Sequence, residues 1–322
     1  MTRFIIRRLL VMIPLLVGIT FLTFAIVNLV PGSPIAQFEF NPRMSQADIQ
    51  RIESNLGLDE PWPKRYVLWL DDLAHGNLGY SLINGSPVWN QIITVLPNTL
   101  LLTGAALAMA LVLSIPLGIL AAVKRNSMFD NVIYIVANAA AAIPTFWLGL
   151  LLIILFSVKF SAWGFPSLPV GGTYDLRGGG GFLDRFEHLI MPAFTLGAVQ
   201  VAGWLLYIRS SMLEVIRQDF VRTAESKGLA DWAVVYGHAF RNAVLPLVTL
   251  IGLTIPDLFA GAYIVEQIFA WPGIGRLTLG AAENSDYTLI MGTILVFAVL
   301  TLLANLLADV LYAVLDPRIR YD

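Results

Sequence analysis

The chain has 322 residues, of which 57% are hydrophobic and only 13% are charged, and its net charge is −2. A soluble domain carries about 25% charged residues, so this composition indicates a protein that has lipid as its solvent. The nearly neutral balance excludes the basic surface of a nucleic-acid-binding protein. The absence of cysteine excludes disulfides, thiolate metal sites and cysteine nucleophiles.

Six long apolar segments dominate the chain. A helix needs about 20 apolar residues to cross roughly 30 Å of hydrocarbon, because lipid offers its backbone groups no partner. Five segments of that length are uncharged, and the sixth contains a single acid, Asp257. Five spans with a buried or re-entrant sixth segment are the alternative. We predict an all-α integral membrane protein, one domain throughout, with about six transmembrane helices at residues 9–30, 97–123, 132–158, 189–208, 243–265 and 287–308.

The first outer loop of this prediction, residues 31–96, carries patterns of short helices. A capping-box variant at Ser45 precedes one apolar stripe, and a second stripe begins at Tyr66. Pro87 is suited to begin a third short helix that leads into the second span. We therefore expect this loop to be a partly helical cap.

Basic residues in the loops predict the orientation, because cytoplasmic loops are enriched in lysine and arginine. With the N-terminus inside, the cytoplasmic segments contain twelve of the 20 basic residues and the outer segments contain eight. Both termini, residues 1–8 and 309–322, are therefore expected in the cytoplasm, together with the loop 209–242. The loops 31–96 and 159–188 are expected outside.

The predicted cytoplasmic loop 209–242 is helically patterned although it lies outside the spans. Ala224 and Gly228, four residues apart, are small enough for another surface to approach the backbone closely. Trp232 and Tyr236 are of the type that anchors protein interfaces. From this pattern alone, a helix lying on the membrane with its basic residues at anionic headgroups is an equal alternative.

Several motifs along the chain match one family. The stretches Arg222-Thr-Ala-Glu-Ser-Lys-Gly-Leu229 and His238-Ala-Phe-Arg-Asn-Ala-Val-Leu-Pro246 resemble the EAA loop of bacterial ABC importer permeases, most closely the dipeptide and oligopeptide branch. Glu225 departs from that branch, which often has arginine at this place. The resemblance covers nearly the whole chain and includes Gly76-Asn-Leu-Gly79, Ala121-Ala-Val-Lys-Arg125, Phe269-Ala-Trp-Pro-Gly-Ile-Gly275 and Asp316-Pro-Arg-Ile-Arg320.

The resemblance implies a transport subunit rather than an enzyme, located in a bacterial or archaeal plasma membrane. It would form half of the transmembrane path for di- or oligopeptides. The implied partners are a homologous second permease in a heterodimer, two cytoplasmic ABC ATPase subunits and an extracytoplasmic solute-binding protein. ATP and Mg²⁺ would be used by the ATPase subunits, and this chain, which lacks a G-x-x-x-x-G-K-[ST] motif, would bind no cofactor.

Other substrates and another class of transporter are the alternatives. The same machinery could import a nickel chelate, glutathione or an oligosaccharide. A secondary transporter driven by an ion gradient is the alternative class, but it predicts several charged residues in the spans or related halves with broken helices, and neither is evident.

The functional residues fall into two groups. An ionisable residue inside a span is a candidate for the substrate pathway, which singles out Asp257; Asn138, Gln200 and Asn305 are weaker candidates, since such residues often tie helices together. No catalytic residue is predicted, and the three histidines show no metal-ligand spacing. The resemblance assigns ATPase coupling to Arg222, Thr223, Ala224, Glu225, Lys227, Gly228 and Leu229.

Overall fold

The computed structural model describes residues 2–29, 45, 47, 54, 58–175 and 180–315. The named secondary-structure elements in these ranges are all helices, and an isolated antiparallel bridge joins Tyr80 to Pro87. The predicted helix that follows Ser45 and the closing motif at residues 316–320 lie outside the described residues.

The helices are numbered here in chain order. The α-helices are α1 Thr2–Leu29, α2 Trp62–Ala74, α3 Val88–Val123, α4 Met128–Ala142, α5 Thr145–Ala162, α6 Phe182–Val215, α7 Asp219–Ser226, α8 Leu245–Ile268, α9 Ile274–Glu283 and α10 Tyr287–Leu315. A π-helical stretch, Ile153–Lys159, lies inside α5. A separate π segment, Ala233–Phe240, follows α7 and continues as the α-helical turn Arg241–Ala243.

The lengths of these helices suit a membrane. In the described chain α1, α3, α5, α6 and α10 are long and apolar enough to cross it, and α4 is a shorter apolar helix. The predicted span at residues 243–265 lies almost wholly within α8, which has 24 residues. The predicted all-α membrane fold is therefore confirmed. The depth at which each helix meets the membrane surface stays a prediction.

The structure differs from the prediction at residues 132–158, which belong to two helices rather than one. α4 ends at Ala142, Ile143 is extended with a ψ of 124°, and α5 begins after Pro144. Proline lacks an N–H and disfavours helical backbone in the residue before it. The Ile143–Pro144 step therefore ends α4 after 15 residues.

Two other elements also differ from the prediction. α3 begins at Val88 and runs for 36 residues, so the expected third short helix after Pro87 is the first part of α3. α9 was not predicted. It forms because Ala270, with a φ of 47°, and Pro272 end the preceding helix, after which a new helix begins at Ile274.

The described chain divides into two compact units, and α3 and α10 contribute to both. The first unit contains the residues up to 97 and residues 273–302. Its core includes Val88, Ile92 and Ile274, which are fully buried. The remaining described residues form the second unit.

The second unit is organised around α6. Trp204, Ile208 and Met212 of this helix are at most 4% exposed. They belong to a cluster that also takes buried side chains from α3, α7, α8 and the π segment. We call this the α6 cluster; its members are Ala110, Ile119, Ala122, Trp204, Ile208, Met212, Val215, Val221, Ala224, Val234, Ala239, Ala243 and Leu247.

α3 and α6 approach each other closely at two glycines. A Cβ built on Gly197 would lie 2.8 Å from the carbonyl oxygen of Ala106, and one on Gly118 would lie 2.9 Å from that of Leu205. Real Cβ atoms do not approach a backbone oxygen so closely. The crossing of α3 and α6 therefore depends on hydrogen as the side chain at both positions.

Gly197→Ala is expected to lower the stability of the folded chain by about 1–3 kcal/mol, since the added methyl group overlaps backbone rather than a side chain that could turn away. Gly203→Ala on the same helix is the matched control, because its Cβ would meet nothing within 4 Å. Thermal unfolding of the purified full-length chain in detergent measures both. Equal melting temperatures for the two variants would contradict the close crossing.

Candidate functional site

The short helix α7, Asp219–Ser226, has one buried and one exposed face. Val221 and Ala224 are 1% and 4% exposed and belong to the α6 cluster. They are three residues apart, so they lie on the same side of the helix. Arg222, Thr223 and Glu225 are exposed. α7 is therefore fixed to the second unit by its apolar side and presents its polar side outward.

The end of α7 explains Gly228. The N–H of Lys227 donates to the carbonyl of Thr223 at 3.2 Å, and the N–H of Gly228 donates to that of Glu225 at 2.9 Å. Gly228 has a φ of 77°, a conformation that glycine adopts without strain and other residues rarely do. This glycine is therefore needed to end the helix, whatever contacts a partner makes with it.

The seven residues assigned to coupling do not all face outward. Ala224 is buried within this chain, so the expectation that it leaves room for the surface of another protein was wrong. Its small side chain instead packs α7 against the α6 cluster. A Cβ on Gly228 would meet nothing within 4 Å. Arg222, Thr223, Glu225, Lys227, Gly228 and Leu229 are exposed, and Leu229 is 42% exposed.

The π segment Ala233–Phe240 continues this surface. Val234 and Ala239 are buried in the α6 cluster, whereas Trp232 and Tyr236 are 71% and 49% exposed. After the segment, the hydroxyl of Ser211 on α6 donates to the carbonyl of Ala243 at 2.9 Å. π-helical turns are found frequently at functional sites.

A buried ion pair holds the connection between α3 and α4 against α6. The carboxylate of Asp130, which is 1% exposed, accepts two hydrogen bonds from the Arg209 guanidinium, one of them at 2.7 Å. It also accepts the N–H of Asn126 at 2.9 Å. Asp130 precedes the apolar run of α4, and the bonds from Arg209 hold the pKa of its carboxyl below the usual range.

The four predicted pathway residues lie on four different helices of the second unit. Asp257 on α8 is exposed, and Gln200 on α6 and Asn305 on α10 are half-buried. Asn138 on α4 is exposed and donates its amide to the carbonyl of Tyr134, one turn earlier, at 2.7 Å. In the described chain no hydrogen bond joins any two of the four. They are therefore not assembled into one bonded site.

Sequence reasoning missed a second acid in α8. Glu266 is fully buried and accepts a hydrogen bond from the hydroxyl of Thr99 on α3 at 2.6 Å. Close by, the indole N–H of Trp271 donates to the carbonyl of Asn98 at 3.0 Å. The predicted span ends at Val265, one residue before this acid. Extending the apolar helix to Ile268 would have revealed it.

Comparison with known proteins finds transport-system membrane components as matches along the whole chain. Residues 114–321 match the family of binding-protein-dependent transport system inner membrane components, and residues 1–103 match the N-terminal family of such membrane components. The chain is 42% identical to the oligopeptide transport system permease protein AppB of Bacillus subtilis, with 100% of both chains covered. It is 39% identical to the dipeptide transport system permease protein DppB of Escherichia coli K12, covering 100% of this chain and 99% of that one.

The solved structures agree with this in fold. The chain resembles a chain of the methionine ABC transporter MetNI, crystallised in inward-facing conformations, with a TM-score of 0.53 and 16% sequence identity. The likeness covers 70% of this chain and 95% of that chain.

Proposed function

Because this chain belongs to the family of binding-protein-dependent transport system inner membrane components, we propose that it is the permease subunit of an ATP-driven importer of di- and oligopeptides. The family and the apolar helices make it a multi-pass inner-membrane transport subunit, not an enzyme. Full-length identities of 39–42% to relatives named for dipeptide and oligopeptide transport support the peptide substrate.

The observation that carries this proposal is that α7 is buried on one side and exposed on the other. A helix that lies on a membrane inserts its apolar face among the lipids. Two of the three apolar side chains of α7, Val221 and Ala224, are already buried in the α6 cluster, and the third, Phe220, is 37% exposed. The exposed side combines polar residues with the ring of Phe220 on a helix fixed by its buried side, which suits docking to a protein. We assign that role to Arg222, Thr223, Glu225, Lys227, Gly228 and Leu229. Ala224 contributes by holding α7 against the α6 cluster.

The partner of this surface is a cytoplasmic ATPase subunit. The excess of basic residues in the loops on the side of α7 supports its cytoplasmic location, with both termini on that side. Each permease offers one such helix, so two ATPase subunits require two permeases, and the second is a homologous chain. ATP and Mg²⁺ belong to the ATPase subunits. An extracytoplasmic binding protein delivers the peptide from the other side.

Asp257 is the best-supported residue of the pathway. A charged side chain that faces lipid at membrane depth costs at least about 2.5 kcal/mol. Asp257 is exposed on α8, and no side chain of the described chain is paired with it. Its face of α8 therefore suits the water-filled path between the two permeases, where the carboxylate meets the peptide amino terminus. Gln200, Asn138 and Asn305 are proposed as polar residues of the same path.

Docking of α7 is tested with single cysteines, because the chain has none of its own. Thr223→Cys is expected to react with a maleimide added from the cytoplasmic side, and bound ATPase subunits are expected to suppress most of that labelling. Ala224→Cys, the buried neighbour, should label poorly with or without the ATPase. Phe182→Cys, at a site 84% exposed, should label only from outside and independently of the ATPase. Unprotected or external labelling of Thr223→Cys would refute the docking surface.

The substrate class is tested by uptake into proteoliposomes that contain this chain with the second permease, the ATPase subunits and the binding protein of the same transporter. A labelled tripeptide is expected to accumulate only when ATP is present on the ATPase side. Accumulation of a nickel chelate, glutathione or an oligosaccharide in place of the tripeptide would reassign the substrate. Uptake driven by an ion gradient without ATP would reject the importer class.

The same proteoliposomes test Asp257. Asp257→Asn is expected to reduce ATP-dependent uptake of a tripeptide about tenfold, since a charge-assisted hydrogen bond to the amino terminus is lost. Uptake of the N-acetylated tripeptide should be unchanged by the substitution. Glu187→Gln removes another exposed carboxylate and should affect neither peptide. Equal losses for the free and acetylated peptides would show that Asp257 does not meet the amino terminus.

A further inference from the structure

A cavity of about 490 Å³ lies within the first unit, where it is lined by α1, α2, the chain that follows α2 and the start of α10. Its volume is within the roughly 300–1,000 Å³ of small-ligand pockets. Most of its wall is aromatic or aliphatic and includes Phe24, Leu68, Trp69, Tyr80 and Tyr287. An apolar wall with a few polar groups is typical of a pocket that binds a small molecule.

Two opposite charges line this cavity from one helix. Arg65 and Asp72 are seven residues apart on α2, so they lie on the same face, about 10 Å apart along the helix axis. Within the described residues neither side chain forms an ion pair. The guanidinium carbon of Arg65 lies 5.9 Å from the centre of the Phe24 ring, and the carboxylate of Asp72 accepts a long bond of 3.4 Å from Asn77. Both charges are therefore available to a ligand.

Hydrogen bonds within the first unit hold the walls of the cavity in place. The hydroxyl of Tyr66 donates to the carbonyl of Val17 at 3.0 Å and thereby attaches α2 to α1. Just before α10, the buried carboxylate of Asp286 accepts the hydroxyl of Ser81 and, at 3.2 Å, the N–H of Leu82. These bonds attach the chain that follows α2 to α10. A pocket that is formed in advance loses less free energy to ordering when it binds a ligand.

The two charges match the ends of a short peptide. An extended chain rises about 3.3–3.6 Å per residue, so the terminal charges of a tripeptide are about 7–10 Å apart. A guanidinium group binds a carboxylate through two parallel hydrogen bonds, and the carboxylate of Asp72 can accept from an ammonium group. Leu68 and Trp69 lie between the two charges on the same face of α2. Their apolar surface can accept peptide side chains of different sequences.

We propose that this cavity is an additional binding site for a short zwitterionic peptide, with the peptide carboxylate at Arg65 and the amino terminus at Asp72. The inference rests on the proposed function as a peptide importer and on the proposed location of residues 31–96 outside the membrane, the side from which the peptide arrives. The site is distinct from Asp257, which belongs to the second unit. The permease itself thereby selects peptides that have two free termini.

The role of the termini is tested on the assembled transporter in phosphatidylcholine nanodiscs, without ATP and without the binding protein. Every preparation carries Asp257→Asn, so that the proposed pathway contact does not contribute. Radiolabelled trialanine is expected to bind about fivefold more tightly than N-acetyl-trialanine or trialanine amide, since each blocked peptide loses one charge-assisted bond. Equal affinities for the three peptides would overturn the proposal.

Substitutions in α2 assign each terminus to its partner. Asp72→Asn is expected to weaken the binding of trialanine about fivefold and to leave that of N-acetyl-trialanine unchanged. Arg65→Gln should weaken trialanine equally and leave the amide unchanged. Asp71→Asn and Lys64→Gln are the matched controls, because these neighbours are exposed but do not line the cavity. Equal weakening of free and blocked peptides, or the same loss in the controls, would reject the site.

Two further measurements identify the occupant of the cavity. Leu68→Trp places a larger side chain in the hollow and keeps both charges, so it should weaken the binding of trialanine; undiminished binding would show that the peptide lies elsewhere. Phosphatidylethanolamine also carries an ammonium group and an anion. Trialanine should still bind in nanodiscs of that lipid, and its complete displacement there would identify a headgroup site and overturn the proposal.

The outcome of these experiments is separate from that of the uptake assay, because binding is measured without ATP. Absent binding beside normal ATP-dependent uptake of a tripeptide would reject the cavity site alone. Selective binding without ATP-dependent uptake would keep the site and reject the proposed importer.

Discussion

The burial of Val221 and Ala224 in the α6 cluster is the contact on which the remainder of the functional surface depends. These two small apolar side chains attach an eight-residue helix to α6 and α3. A helix this short is not stable alone in water, since nucleation is costly and few hydrogen bonds repay it. Its order comes from the tertiary contact. A force applied to the exposed side of α7 is therefore transmitted to α6, a 34-residue helix, rather than absorbed by a loop.

The ion pair between Asp130 and Arg209 gives the same end of the second unit a second fixed point. Arg209 extends from α6, and Asp130 also binds the backbone of Asn126 in the turn between α3 and α4. Breaking a buried pair leaves a charge without a partner, which is strongly destabilising. α3, α4, α6 and α7 are thereby connected around one helix. This is the arrangement that a subunit needs if its membrane helices are to move as a body.

Hydropathy was sufficient for the fold but not for its interruptions. Apolar length predicted α1, α3, α6 and α10, because a backbone in lipid has few other ways to satisfy its hydrogen bonds. The break at Pro144 and the separate helix α9 each depend on single residues within or beside apolar segments. An average of hydropathy over many residues does not detect such single residues. Glu266 was missed for the same reason, as it lies one residue beyond the predicted border.

The residue pattern singles out residues 222–229 as the predicted coupling segment, but it does not show which of their side chains are buried. Both Ala224 and Gly228 are predicted from the sequence to let another surface approach closely. In the structure Ala224 is buried in the α6 cluster, whereas Gly228 ends α7. Only tertiary contacts separate these roles. Burial also bears on the proposed docking role: α7 keeps only Phe220 of its three apolar side chains exposed. Trp232, which precedes the π segment, and Tyr236 within it are both exposed.

The left-handed turn at Gly228 also sets the length of α7. Successive residues of an α-helix are rotated by about 100°, so one inserted or deleted residue between Val221 and Gly228 would turn the polar face away from its present direction. The position of Leu229 relative to Arg222 is fixed by the same count. In this segment a change of length is therefore more disruptive than a change of residue. Related chains whose helix packs in the same way should keep the spacing between the residues at positions 221 and 228, even where the side chains between them differ.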